Sequence, residues 1–233
     1  NPVNTSYAIS TGIVVDALLT WMEASSTAPA DEIKAVVEQA LTAYADPRVQ
    51  TPAGLVPYSL REPDRSYDTF NSAAYIAGQM QRFAKYASSP EIAGRLEDAA
   101  DATMSSLIAN HQESPGGAWF WRYSVQENVA NDLAHASYIV DGVQTYIREG
   151  GAVSSGVASP AVSAHLGEFA DDHGRLRGWP TFQENIDAPA RLYDLGMALV
   201  FGCSSEPRPQ LEEQAKKTIP LHRSDGGFSR YPV

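Results

Sequence analysis

Residues 127–151 read ENVANDLAHASYIVDGVQTYIREGG, and the spacing of this stretch decides the fold class. Asn131, Asp132, His135 and Tyr138 fall at helical intervals, and Ile139, Val143 and Ile147 continue the same helix as an apolar stripe. A helix that opens with polar groups on the side it later buries opens beside a cavity. Gly142 sits in its interior, where glycine costs about 1 kcal/mol relative to alanine, so the position is expected to serve close backbone packing.

Three other stretches align on such a glycine. Superposing Gly12, Gly78, Gly142 and Gly196 gives TSYAISTGIVVDALLTWM, YDTFNSAAYIAGQMQRFAKY, NDLAHASYIVDGVQTYIREG and NIDAPARLYDLGMALVFG, with 66, 64 and 54 residues between successive glycines. That period fits a helix, a turn, a second helix and a return loop. The expectation is an all-α chain of four helical hairpins. Its helices are expected near Ser6–Ala24, Asp31–Tyr44, Tyr67–Tyr86, Pro90–Asn110, from Asn131, Ser159–Asp171, Asp187–Phe201 and Leu211–Thr218. Alternating inner and outer helices would curve into an α/α toroid or an incomplete one, the alternative being a linear helical solenoid. No long Pro/Gly/Ser linker interrupts the pattern, so residues 1–233 are expected to form a single domain.

The return loops carry aromatics and arginines. One reads HQESPGGAWFWRYSVQEN, where Trp119, Trp121 and Tyr123 alternate like one face of a short strand; another, DDHGRLRGWPTFQEN, holds Arg175, Arg177 and Trp179. Tyr58 lies in the first return loop and Tyr231 in the last. Such rings can stack on a flat apolar ligand face or anchor the loops in the core.

Composition narrows the partners. With 17 Lys+Arg against 28 Asp+Glu, the net charge is −11 at pH 7, which argues against a nucleic-acid binder that must displace counterions. The single Cys203 permits no intrachain disulfide. No run is long enough for an uncharged membrane span, so membrane insertion is not expected. A first residue Asn1 in place of methionine fits a processed secreted protein or a trimmed domain. The expected location is therefore extracellular or periplasmic, with a flanking domain or protein partner as a further expectation. The five histidines form no HExxH motif, and there is no Walker loop, dinucleotide fingerprint or GxSxG elbow. Neither a metal site nor a cofactor is expected.

The repeat also aligns chemistry. Asp68 and Asp132 both precede their glycines by ten residues, and Asn71 and His135 by seven, so Asp68 with Asn71, and Asp132 with His135, share a helical face as i,i+3 pairs. Asp187 lies on a comparable rim. The candidate catalytic set is Asp68, Asp132, His135, Tyr138, Asp187 and Arg191. The candidate substrate contacts are Tyr58, Asn71, Trp119, Trp121, Tyr123, Asn131, Arg175, Arg177, Trp179 and Tyr231. Each aspartate can equally cap a helix, and each tyrosine can equally pack between helices. Rings beside carboxylates, amides and arginines suit a polysaccharide or oligosaccharide. Two opposed carboxylates would serve glycosidic hydrolysis. For a uronate, His135 or Tyr138 would move the proton beside the carboxylate while Arg191 stabilises the developing charge. A non-catalytic glycan-binding or protein-interaction domain is the competing reading.

The repeated hairpins with GGAWFWRY, NDLAHASY and RGWP resemble the α/α-toroid carbohydrate-active proteins, loosely including the catalytic regions of uronyl epimerases and polysaccharide lyases. This resemblance is architectural and implies a carbohydrate-processing toroid, without transferring a catalytic set. The glycine-aromatic returns resemble terpene-cyclase and prenyltransferase toroids more weakly, since no acidic metal-binding tract or Cys/His/Asp zinc set accompanies them.

Overall fold

A computed structural model describes residues 5–64, 67–183, 186, 188–202, 209–224 and 227–228. The protein is all-α, a bundle in which several helices pack on one another. Among the described residues there are eight α-helices: α1 Ala8–Ala24, α2 Ala30–Tyr44, α3 Phe70–Ala84, α4 Pro90–Asn110, α5 Leu133–Arg148, α6 Ser159–Ala164, α7 Leu192–Gly202 and α8 Pro209–Thr218. Two antiparallel hairpins accompany them, β1 Gln112–Glu113 with β2 Trp119–Phe120, and β3 Arg223–Ser224 with β4 Gly227–Phe228. None of the described helices is long and apolar enough to cross a membrane.

The chain divides into two compact units that each draw on separated segments. The first comprises residues 1–109, 124–126 and 142–156, and the second residues 110–123, 127–141 and 157–233. Helix α5 gives its first nine residues to the second unit and the rest to the first.

In the first unit, α1 buries Ala8, Gly12, Val15 and Leu19, and α2 buries Ile33, Val37, Leu41 and Tyr44, the stripes expected of amphipathic helices. Asp31 and Glu32 occupy the first turn of α2, where the helix dipole favours negative charge. Every residue of α3 is buried. Its one charged member is paired: Arg82 reaches Asp16 at 2.6 Å, Glu23 at 2.5 Å and Thr20 at 3.2 Å, all on α1. The expected close packing at glycine holds at three of the four aligned positions. A Cβ on Gly78 would meet Gly142 O at 2.5 Å, one on Gly142 would run into the Ala74 carbonyl, and one on Gly12 would meet the Tyr75 ring at 2.7 Å. At Gly196 a Cβ would meet nothing within 4 Å among the described residues.

In the second unit, Trp121, Leu133, Ile139, Val162, Phe169, Leu176, Ala198 and Leu211 form the core. Several boundaries differ from those the sequence suggests. Helix α3 starts at Phe70 instead of Tyr67, because Thr69 is extended and bridges Ser124 within the first unit. Helix α5 starts at Leu133 instead of Asn131, since the Asn131 amide donates to Trp121 O. The α6 segment ends at Ala164 and continues as a 3-10 turn over His165–Phe169. Helix α7 starts at Leu192; Pro189 ahead of it bridges Arg177 and holds the lead-in extended. The aromatic strand covers only Trp119–Phe120, and Trp121 turns fully into the core.

Candidate functional site

The second unit gathers the polar start of α5 and the start of α7 into one cluster. Asp132 is the residue before α5, and its Oδ1 accepts the His135 backbone N–H at 3.0 Å, closing the helix end as an N-cap. The same oxygen lies 2.6 Å from His135 Nδ1. A carboxylate only accepts, so Nδ1–H donates to Asp132 in this contact, and in the neutral form of the ring the lone pair lies on Nε2. Asp132 Oδ2 accepts from Arg191 Nη2 at 2.9 Å. Burial opposes the charged form of Asp132, but the His135 hydrogen bonds and the charges of His135 and Arg191 outweigh it and hold the carboxyl below its usual range.

Arg191 is fixed from its other side by Asp194. That carboxylate, almost fully buried, accepts from Arg191 Nε at 3.0 and 2.9 Å and from Nη2 at 2.6 Å, and its Oδ2 accepts the Arg191 backbone N–H at 2.7 Å. Asp194 stands three residues into the helix and reaches back to the residue before it, half of a capping box. The hydrogen bonds from Arg191 to Asp194, with the charges of Asp194 and Asp132, raise the guanidinium's affinity for its proton further.

The His135 ring is about a third exposed and lies edge-on to two tyrosines, Tyr123 at 5.1 Å and Tyr138 at 6.4 Å between centroids. The Tyr138 hydroxyl lies 2.9 Å from that of Tyr193. Burial first, then the Tyr193 bond and the Asp132 charge, push the Tyr138 phenol well above its usual range, so it stays protonated near neutrality. Tyr138 also packs on Phe201 of α7 at 5.0 Å.

Of the candidate residues, Asp132, His135, Tyr138, Arg191 and Tyr123 meet in this cluster. Asn131 lies beside it, with Nδ2 donating to Trp121 O at 3.2 Å and to Arg122 O at 2.8 Å, which ties the aromatic loop to the start of α5. Trp121 is buried, and Trp119 stacks on His111 at 3.7 Å. The Arg177 side chain donates to Ile186 O at 3.1 Å, Arg175 is exposed, and Trp179 is half-buried. Asp68, Asn71 and Tyr58 belong to the first unit. There Asp68 Oδ2 accepts from Gln126 at 3.3 Å, and Asp68 Oδ1 and Asn71 Oδ1 are buried without a donor among the described residues. Tyr58 lies edge-on to Tyr7 and Tyr67. Asp187 and Tyr231 lie outside the described residues.

Neither Asp194 nor Tyr193 stands in the candidate set drawn from the sequence. The signal for Asp194 is its spacing of three from Arg191, which becomes a capping arrangement once α7 is started at Leu192. Among the described residues, no group of three or more His, Cys, Asp or Glu is placed to hold a metal ion. The cluster can deliver a proton acceptor, His135 Nε2, backed by a carboxylate, and a neutral phenol beside it. In comparisons with protein-family models and with curated proteins, the chain matches none of them.

Proposed function

We propose that this protein is a carbohydrate-active α/α-toroid domain, complete or incomplete, which moves a proton on a uronate-containing polysaccharide by epimerisation or elimination. The observation that carries this reading is the 2.6 Å contact between Asp132 and His135 Nδ1, which directs the other ring nitrogen away from the carboxylate. In the reaction, His135 Nε2 takes the proton from the carbon beside the uronate carboxylate, and the electron pair left behind passes into that carboxylate as an enediolate. Tyr138 then gives its phenolic proton either to the opposite face of the same carbon, which inverts it, or to the departing glycosidic oxygen, which leaves a double bond. Tyr193, hydrogen-bonded to Tyr138 and exposed on its other side, returns a proton from solvent to Tyr138, and the partly exposed His135 releases the proton it took to solvent.

Arg191 has a different task in this scheme from the one its residue type first suggests. Its bonds to Asp194 and Asp132 commit the guanidinium to holding Asp132 in place. Hydrolysis by paired carboxylates is less favoured, because Asp132 is kept ionised and its oxygens are occupied by His135 and Arg191. The closed Asp132–Arg191–Asp194 arrangement favours one second reading, a glycan-binding domain in which the cluster pins α7 to α5.

Incubation with a panel of uronate polysaccharides in deuterated water separates these readings. Deuterium at the carbon beside the carboxylate is expected, with unsaturated ends if elimination follows, and the His135→Gln variant should lose it. Binding without deuterium uptake or new ends would support the second reading, and reducing ends without unsaturation would support hydrolysis.

A further inference from the structure

Asp132 fixes one atom of the His135 ring and leaves the plane of that ring to other contacts. Its hydrogen bond sets where Nδ1 lies, but the second side-chain torsion of histidine is broad, so the ring can still turn about that bond. The aim of Nε2 then depends on what meets the ring from the side. Tyr138 stands one turn along the same helix, at 6.4 Å and 65°, and moves with it. Tyr123 comes from outside the helix and is closer, at 5.1 Å and 88°, the edge-to-face arrangement that aromatic rings favour.

The peptide unit that carries Tyr123 is held at both ends. The Tyr123 N–H donates to Val129 O at 3.1 Å, and the carbonyl of the same unit, Arg122 O, accepts from Asn131 Nδ2 at 2.8 Å. Because the unit is planar, these two bonds set the direction in which the Tyr123 side chain leaves the loop. Asn131 also holds the residue before: Nδ2 donates to Trp121 O at 3.2 Å, and the Asn131 backbone N–H donates to the same oxygen at 3.0 Å. Trp121 is buried in the core, and Asn131 is only 1% exposed, so its amide meets the loop and not a substrate. Two consecutive residues thus hold the imidazole from two directions, Asp132 through Nδ1 and Asn131 through Tyr123.

We infer that Asn131 is a positioning residue, which sets the plane of the His135 ring, and with it the aim of Nε2, by holding the peptide unit that carries Tyr123. The inference deepens the proton-transfer reading of this site and rests on it. A displacement of about 1 Å at a reacting atom costs about 10²-fold in rate. The loss therefore falls on kcat, while KM is left nearly as it was.

The test uses the full chain with Asn131→Ala, Tyr123→Leu and the two combined. Far-UV circular dichroism and thermal melting check that each folds, and Asn131→Ser, whose hydroxyl is too short to reach both carbonyls, replaces an alanine variant that does not. The first readout needs no substrate: the ring C–H signals of His135 in NMR, identified by their loss in His135→Gln. The Tyr123 ring displaces these signals, so both single variants should move them, while the ring nitrogen shifts keep the Nδ1–H form because Asp132 is untouched. The second readout is deuterium exchange on a uronate polysaccharide. Each single variant should lower kcat by about 10- to 100-fold, and the double should be no slower than Tyr123→Leu alone, since one residue acts through the other. A folded Asn131 variant with unchanged His135 signals overturns the inference, and so do losses that multiply in the double variant. A parent chain that exchanges no uronate proton removes the proton-transfer reading instead, and the ring signals by themselves then decide whether Asn131 sets the imidazole.

Discussion

His135 and Asp132 share one oxygen twice: Asp132 Oδ1 accepts both the backbone N–H and the ring Nδ1 of His135, at 3.0 and 2.6 Å. The cap that starts α5 is thus also the group that orients the imidazole. Asp132→Asn is expected to keep much of the cap, since an amide oxygen also caps helices, and to lose the charge behind the ring. Proton exchange on a uronate substrate should fall by about 10²-fold or more, with a much smaller change in melting temperature. Equal loss of activity and stability would make the pair structural.

Asp194 is almost fully buried and holds Arg191 through four hydrogen bonds. Asp194→Ala should destabilise the chain by about 2–3 kcal/mol in urea unfolding, the cost of a lost cap together with a cation left with one carboxylate. An effect below about 0.5 kcal/mol, the range of neutral surface changes, would count against this account of how α7 is anchored.

His165 is fully buried against Phe120 and Phe169, and neither ring nitrogen has a partner among the described residues. Burial pushes its pKa from 6.5 down to about 3. Because the folded-state value is depressed, the unfolded chain takes up this proton first as pH falls. Stability from this group is therefore whole above about pH 6.5 and declines by about 1.4 kcal/mol per pH unit until about pH 3. Denaturant unfolding of His165→Leu across that window should show a shallower acid slope than the parent, and parallel slopes would remove the assignment.

Gly142 and Gly196 occupy aligned positions with opposite surroundings. Alanine at Gly142 would drive its Cβ into the Ala74 carbonyl and should cost about 3 kcal/mol or prevent folding. Alanine at Gly196 meets nothing within 4 Å among the described residues and should raise helix stability by about 0.5–1 kcal/mol in thermal unfolding. Similar effects at the two sites would contradict the packing described for α3 and α5.

The sequence by itself determined the helical class and the placement of most helices, because apolar spacing of three and four residues is a local property that burial of one face preserves. It also put Asp132, His135 and Tyr138 on one helix face, since that follows from helical geometry alone. Tertiary structure decided what could not be read along the chain. Arg191 lies 59 residues from Asp132, and only packing of α7 beside α5 brings its charge to that carboxylate and engages it with Asp194 as well. Four glycines look equivalent as letters, yet among the described residues three meet a neighbouring helix and the fourth does not, because a missing side chain acquires meaning only from the atoms that approach it.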